Sequence, residues 1–200
     1  MAVGSLEYSS QFDHTPFYCE ENVYFLCKKL CANGVADADG SDLYAVFISN
    51  EKKQAYNNAT LNWTSLYFIE KRRNYLGSTG VHVLQLHIKE SLHNLVNTDP
   101  NRQQCAVFRI VHAPIFLRSF ASDRRHMKDP TGNWIAEPPS YEPIVAEDTT
   151  VHNLNEYIEI GAENISTNVG AELINDVSNK KLGVVMNETQ LEEFFSQVSR

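Results

Sequence analysis

Apolar residues recur along the first third of the chain with helical spacing. Val23, Leu26, Cys27, Leu30 and Cys31 fall at i, i+3, i+4, i+7 and i+8, one face of a helix that starts near Cys19. Glu20 and Glu21 place negative charge in its first turn, and Lys28 and Lys29 stand toward its end. Gly34 follows as a stop, so charge and glycine agree on direction. A small, acidic loop over 35–42 leads into Leu43–Ser49, too short and too rich in β-formers for a helix.

Beyond Ala55 the period breaks up. Asn57-Asn58 and the basic run Lys71-Arg72-Arg73 interrupt it, and the clearest piece is Val81–Ile88, where His82, Leu84, Leu86 and Ile88 share a strand face. Ala106–Val111 reads as another strand ending before Pro114, with a short helix predicted over Phe116–Ser122. A polar loop, Asp123–Trp134, precedes the proline-rich stretch Glu137–Ile144, expected to be extended surface chain. A last helix is predicted from Glu188, with Asn187 as N-cap and Leu191, Phe194, Phe195 and Val198 as its buried face.

Composition narrows the class. Two hundred residues, 42% hydrophobic and 21% charged, predict a single globular domain spanning 1–200, with 55–107 atypical within it. A net charge of −8 argues against a nucleic-acid backbone as partner. No apolar run reaches the length of a membrane span. Met1–Gln11 lack the basic start and apolar stretch of a secretory signal, so the expected location is cytoplasmic, with nuclear entry open. On that expectation the sequons at Asn58, Asn62, Asn164 and Asn187 are chance matches, and Cys19, Cys27, Cys31 and Cys105 are free thiols. The cysteines form no Cys-x-x-Cys pair, and His87, His93, His112 and His152 show no ligand spacing, so no metal is expected.

Cys19 is the foremost candidate for chemistry. At the first turn of a buried helix the dipole and nearby amides favour a thiolate nucleophile. The plainer reading is a small core residue like Cys27, and the carboxylates of Glu20 and Glu21 oppose ionisation unless turned away.

Three groups of residues carry a family resemblance. They are Phe17-Tyr18-Cys19-Glu20-Glu21-Asn22-Val23-Tyr24, then Tyr44-Ala45-Val46-Phe47-Ile48-Ser49-Asn50-Glu51, then Phe120-Ala121-Ser122-Asp123-Arg124-Arg125-His126-Met127-Lys128. The third continues through Gly132-Asn133-Trp134 and Pro138-Pro139 to Pro143-Ile144. In this order they resemble the protein N-terminal glutamine amidohydrolases, over Gln11–Gln54 and from Phe108 to the C-terminus. The resemblance implies a three-layer α/β sandwich similar to papain-like and transglutaminase-like cysteine enzymes, acting as a monomer without a cofactor. It also implies deamidation of N-terminal glutamine in proteins and peptides, with ammonia release, feeding the N-degron route, and a Cys-His-Asp triad with Cys19 as nucleophile.

The centre departs from that family. Its Trp-Asp-Tyr-His-Val and Asp-Leu-Asp motifs are absent between Gln54 and Phe108. The nearest echo is Val81-His82-Val83-Leu84-Gln85-Leu86-His87, with Asp99 seventeen positions after His82, near the family spacing. Either His82 and Asp99 are the diverged base and its orienting carboxylate, or 55–107 is foreign sequence between genuine flanks. In the second case His82 is a chance match and the chain is a non-catalytic or poorly folded isoform; the rival function is a non-catalytic binding isoform or pseudoenzyme lacking a complete triad. A strand-face His82 also fits a satisfied core histidine. His14 and His126 are candidate substrate contacts or surface residues. Rejection of internal glutamines needs a carboxylate for the substrate's α-amino group, for which Glu20, Glu21 and Asp123 are the candidates.

Overall fold

The computed structural model describes residues 15–49, 66–70 and 107–198. Helix α1 (Cys19–Ala32) and strand β1 (Leu43–Ser49) stand where the pattern predicts them. After β2 (Leu66–Glu70), β3 (Val107–His112) runs directly into α2 (Ala113–Ser119). A 3₁₀ turn at Arg125–Met127 interrupts the polar loop, and α3 (Leu154–Ile158) follows the proline-rich stretch. The chain closes with α4 (Gly170–Asn179), β4 (Val184–Met186) and α5 (Glu188–Val198). Among the described residues the strands form one antiparallel sheet in the order β2-β1-β3-β4, with Val46 opposite Ile110 and Phe108 opposite Met186.

This is a mixed α/β fold, and strand alternation explains its layering. Leu43, Ala45, Phe47 and Val111 face one cluster, with Val23, Tyr24, Cys27 and Leu30 of α1, Phe116 of α2 and Leu154 and Tyr157 of α3. Tyr44, Val46, Phe108 and Ile110 face the other, with Leu173 and Val177 of α4 and Leu191, Phe194 and Phe195 of α5. Helices cover both faces of the described sheet. That is why β1 reads as an unbroken apolar run rather than an alternating one. Aromatic rings fill the first cluster: Phe47 stacks on Tyr157 at 5.2 Å between centroids, and Phe116 meets Phe120 at 4.8 Å. Arg109 also points into that layer, where its guanidinium donates to the Tyr157 carbonyl (2.9 Å) and the Leu182 carbonyl (2.8 Å). Both bonds satisfy a buried cation with backbone acceptors and tie β3 to α3 and to the turn before β4.

Two local differences from the pattern have simple causes. Helix α2 begins at Ala113, not Phe116, because Pro114 occupies the first turn, where its missing N–H costs nothing. The short elements α4 and β4 carry no clear pattern in the sequence: each shows only two or three buried apolar positions, too few for a period to be evident. The last helix is capped as expected. Gln190 N–H donates to Asn187 Oδ1 (2.9 Å) and Asn187 N–H donates to Gln190 Oε1 (3.1 Å), a reciprocal capping box. The predicted strand Val81–Ile88 lies outside the described residues. No helix among the described residues is long and apolar enough to cross a membrane.

Gly183 sets the approach of β4 to β3. It adopts φ +60°, and a Cβ there would stand 1.9 Å from the Ile110 carbonyl oxygen. Gly183→Ala is expected to lower unfolding free energy by on the order of 2–4 kcal/mol, read from urea denaturation.

Candidate active site

The start of α1 is held from both sides. Asn22 donates from Nδ2 to the Thr15 carbonyl (2.8 Å), and Thr15 N–H donates back to Asn22 Oδ1 (2.9 Å). Between them Phe17 takes φ +71°, a conformation that costs a non-glycine residue on the order of 1 kcal/mol or more. The buried Tyr18 donates its hydroxyl to the Ala136 carbonyl at 3.1 Å, joining this turn to the loop after Trp134. Cys19 then opens the helix. Tyr18, in the cap position, makes no side-chain cap hydrogen bond, so the first-turn amides are not closed off by a capping side chain.

Cys19 is solvent-exposed as a residue, whereas Cys27 on the same helix is buried in the core and burial pushes its thiol up to about 12. The helix thus separates an exposed thiol from a packed one two turns apart. Protein atoms around the Cys19 thiol raise its pKa by desolvation, Glu20 raises it further, and the backbone hydrogen bond at Cys19 lowers it. The resting thiol is therefore not poised as a thiolate by the residues described.

The two glutamates point to different partners. Glu21 is fully buried and bound by Arg124, whose Nε donates to Oε1 (2.9 Å) and whose Nη2 donates to Oε2 (3.1 Å). Arg124 also donates to the Pro139 carbonyl (3.2 Å) and the Tyr141 carbonyl (2.9 Å), and lies 4.9 Å from the Tyr141 ring centroid. One side chain thus ties α1, the polar loop and the proline-rich stretch together. Glu20 Oε1 lies 3.1 Å from His126 Nε2, and the His126 ring stacks on His152 at 5.9 Å. His152 Nδ1 lies 3.2 Å from Asp123 Oδ1. Burial pulls the His152 pKa down, against the opposing pull of Asp123. Burial would raise Asp123, but hydrogen bonds from Arg125 and the charges of His152 and Arg125 prevail and hold it low.

Cys19 sits where predicted, and the Asp123–Arg125 run acquires definite contacts. His126 is a half-buried neighbour of Glu20 rather than a surface group. His152, which the sequence marked only as lacking metal spacing, joins the same network; no local signal pointed to it, because 26 positions separate it from His126. His82, Asp99 and His14 lie outside the described residues. No group of three or more His, Cys, Asp or Glu among the described residues is placed to hold a metal.

Two expectations follow. Breaking the buried pair with Arg124→Met strands the Glu21 carboxylate and should cost about 3–5 kcal/mol by chemical denaturation, with much of it recovered in the Glu21→Leu/Arg124→Met double variant. The pH profile of Cys19 alkylation, followed by peptide mass spectrometry, should have its midpoint above that of an ordinary thiol. Glu20→Gln should move that midpoint down, since removing a nearby negative charge eases thiolate formation.

A family model described as N-terminal glutamine amidase matches residues 14–60 and 81–195. The second stretch contains both His82 and Asp99, and only 61–80 within the span is unmatched. The chain is 41% identical over 210 residues to the protein N-terminal glutamine amidohydrolase of Arabidopsis thaliana, covering 95% of this chain and 94% of that one. It is 43% identical over 211 residues to the protein of the same name from Oryza sativa subsp. indica, covering 95% and 90%. The Homo sapiens protein of that name is 31% identical over 170 residues, covering 72% and 76%. With Cys19 at an exposed helix start and both matched stretches in order, the chain belongs to the N-terminal glutamine amidase family.

Proposed function

We propose that this protein hydrolyses the side-chain amide of an N-terminal glutamine in proteins and peptides, giving glutamate and ammonia. The observation that carries the reading is an exposed Cys19 at the uncapped start of a buried helix, in a chain whose relatives bear that activity in their names. A cysteine at a helix start packed against an antiparallel sheet also supports a papain-like or transglutaminase-like arrangement of the layers.

In this mechanism Cys19 gives its proton to His82 and attacks the amide carbon, and the tetrahedral oxyanion is met by first-turn amides of α1. The imidazolium of His82 protonates the departing nitrogen, ammonia leaves, and a thioester remains. Water, losing a proton to the same histidine, attacks the thioester; the carboxylate product leaves and the thiol is restored. Asp99 orients His82 and stabilises its charged form. The inclusion of His82 and Asp99 in the second family-matched stretch supports this assignment over foreign sequence. No cofactor enters any step. The substrates are proteins or peptides bearing N-terminal glutamine, and the reading includes a monomer acting in the cytoplasm, with nuclear entry open, upstream of N-degron recognition. The alternative, a non-catalytic binder lacking a complete triad, predicts that such peptides bind without conversion.

Incubation of a Gln-initiated peptide with the full chain should add about one mass unit to it, and none to a peptide whose glutamine is internal. Cys19→Ala and His82→Ala should each lower kcat by on the order of 1,000-fold or more while circular dichroism is preserved. Retained conversion in Cys19→Ala would overturn the mechanism.

A further inference from the structure

Three carboxylates border the start of α1 and its facing loop, and their commitments differ. Glu21 is closed by the bidentate Arg124 pair, and Asp123 is engaged by Arg125 and His152. Glu20 makes no ion pair with an arginine or lysine among the described residues. Its side chain is 5% exposed, and its Oε1 accepts no aligned hydrogen bond among them, although His126 Nε2 lies 3.1 Å away. A buried carboxylate without a full set of donors is costly to keep. It also stands next in sequence to the exposed Cys19, where its charge opposes thiolate formation. A cation arriving from solvent would remove both disadvantages together.

We propose that Glu20 receives the free α-ammonium group of the substrate and so confines the site to glutamine at a chain's N-terminus. This rests on the deamidase reading above and deepens it by naming the specificity-determining residue. In a glutamine residue the α-nitrogen and the side-chain amide carbon are only a few bonds apart, so consecutive side chains, Glu20 and Cys19, serve one each. His126, stacked on His152, backs the carboxylate as a positioning residue. An internal glutamine presents an uncharged amide nitrogen and leaves Glu20 unpartnered, as does an acetylated N-terminus. Desolvation is the larger cause of the raised thiol, and the docked ammonium offsets the second, the Glu20 charge, coupling activation of the nucleophile to recognition.

The test uses the full chain and two peptides that differ only in their first residue. One begins with glutamine; the other begins with a glutaramoyl group, which keeps the side-chain amide and lacks the α-amine. Ammonia release gives kcat/KM for wild type, Glu20→Gln and Glu20→Asp. Glu20→Gln should lose on the order of 100-fold on the glutamine peptide without any fall on the glutaramoyl peptide, where the lost charge only eases thiolate formation, so that the preference collapses. Glu20→Asp, which keeps the charge but retracts it, should fall between and answers the question if Glu20→Gln does not fold. Parallel loss on both peptides, or an undiminished preference, overturns the proposal and leaves Glu20 a structural residue. A wild-type chain that is folded and converts neither peptide overturns the deamidase reading, and this inference with it.

Discussion

The Glu21–Arg124 ion pair is the constraint on which this end of the molecule depends. Two charges lie inside the protein, at 0% and 5% side-chain exposure, so the pair must be nearly complete in its hydrogen bonds to be tolerated. Arg124 meets that demand with bonds to both carboxylate oxygens and to two carbonyls of the proline-rich stretch. Its backbone sits at φ +64°, which turns the loop sharply enough to aim the guanidinium at α1. Lysine, a point charge without the planar fork, could not reproduce this set of contacts.

Because Arg124 takes Glu21 out of play, the electrostatics next to Cys19 are governed by Glu20 alone of the two. The Coulombic effect on the thiol comes from Glu20, while Glu21 acts on Tyr141 and, together with Glu20, on Tyr18. Similar residues placed side by side thus do opposite work: one clamps the loop, and the other shapes the charge beside Cys19. The stacked histidines His126 and His152 and the Asp123–Arg125 pair extend this polar layer toward solvent.

The polar layer rests on an apolar one. Tyr24 lies in the aromatic cluster with Phe116 and Phe120, and its hydroxyl donates to the Leu117 carbonyl at 3.2 Å, so α1 is anchored to α2 one turn below the cysteine. Asn153 makes a parallel anchor: its Oδ1 accepts from Ala121 N–H (2.8 Å) and its Nδ2 donates to the Ser119 carbonyl (2.7 Å). These bonds set the position of His152, one residue earlier, against the loop that carries His126. The start of α1 is therefore held through its surroundings.

Local pattern alone determined α1, β1, β3 and the capped last helix, because each has a burial period or a cap written within a few residues. It also singled out Cys19 as the candidate nucleophile, since a helix start is a local feature, and the matched residue strings carried the family. The start of α2 and the short elements α4 and β4 escaped it, since a proline in a first turn, two buried side chains or three strand residues are decided by what packs over them. The partners of Glu20, Glu21 and Asp123 escaped it for a stronger reason. Each pairing beyond Asp123–Arg125 joins residues far apart in sequence, 103 positions in the case of Glu21 and Arg124. Which of two adjacent glutamates is neutralised by an arginine and which faces a histidine follows from the close approach of the loop to α1, and only the tertiary structure brings those charges within a few ångströms.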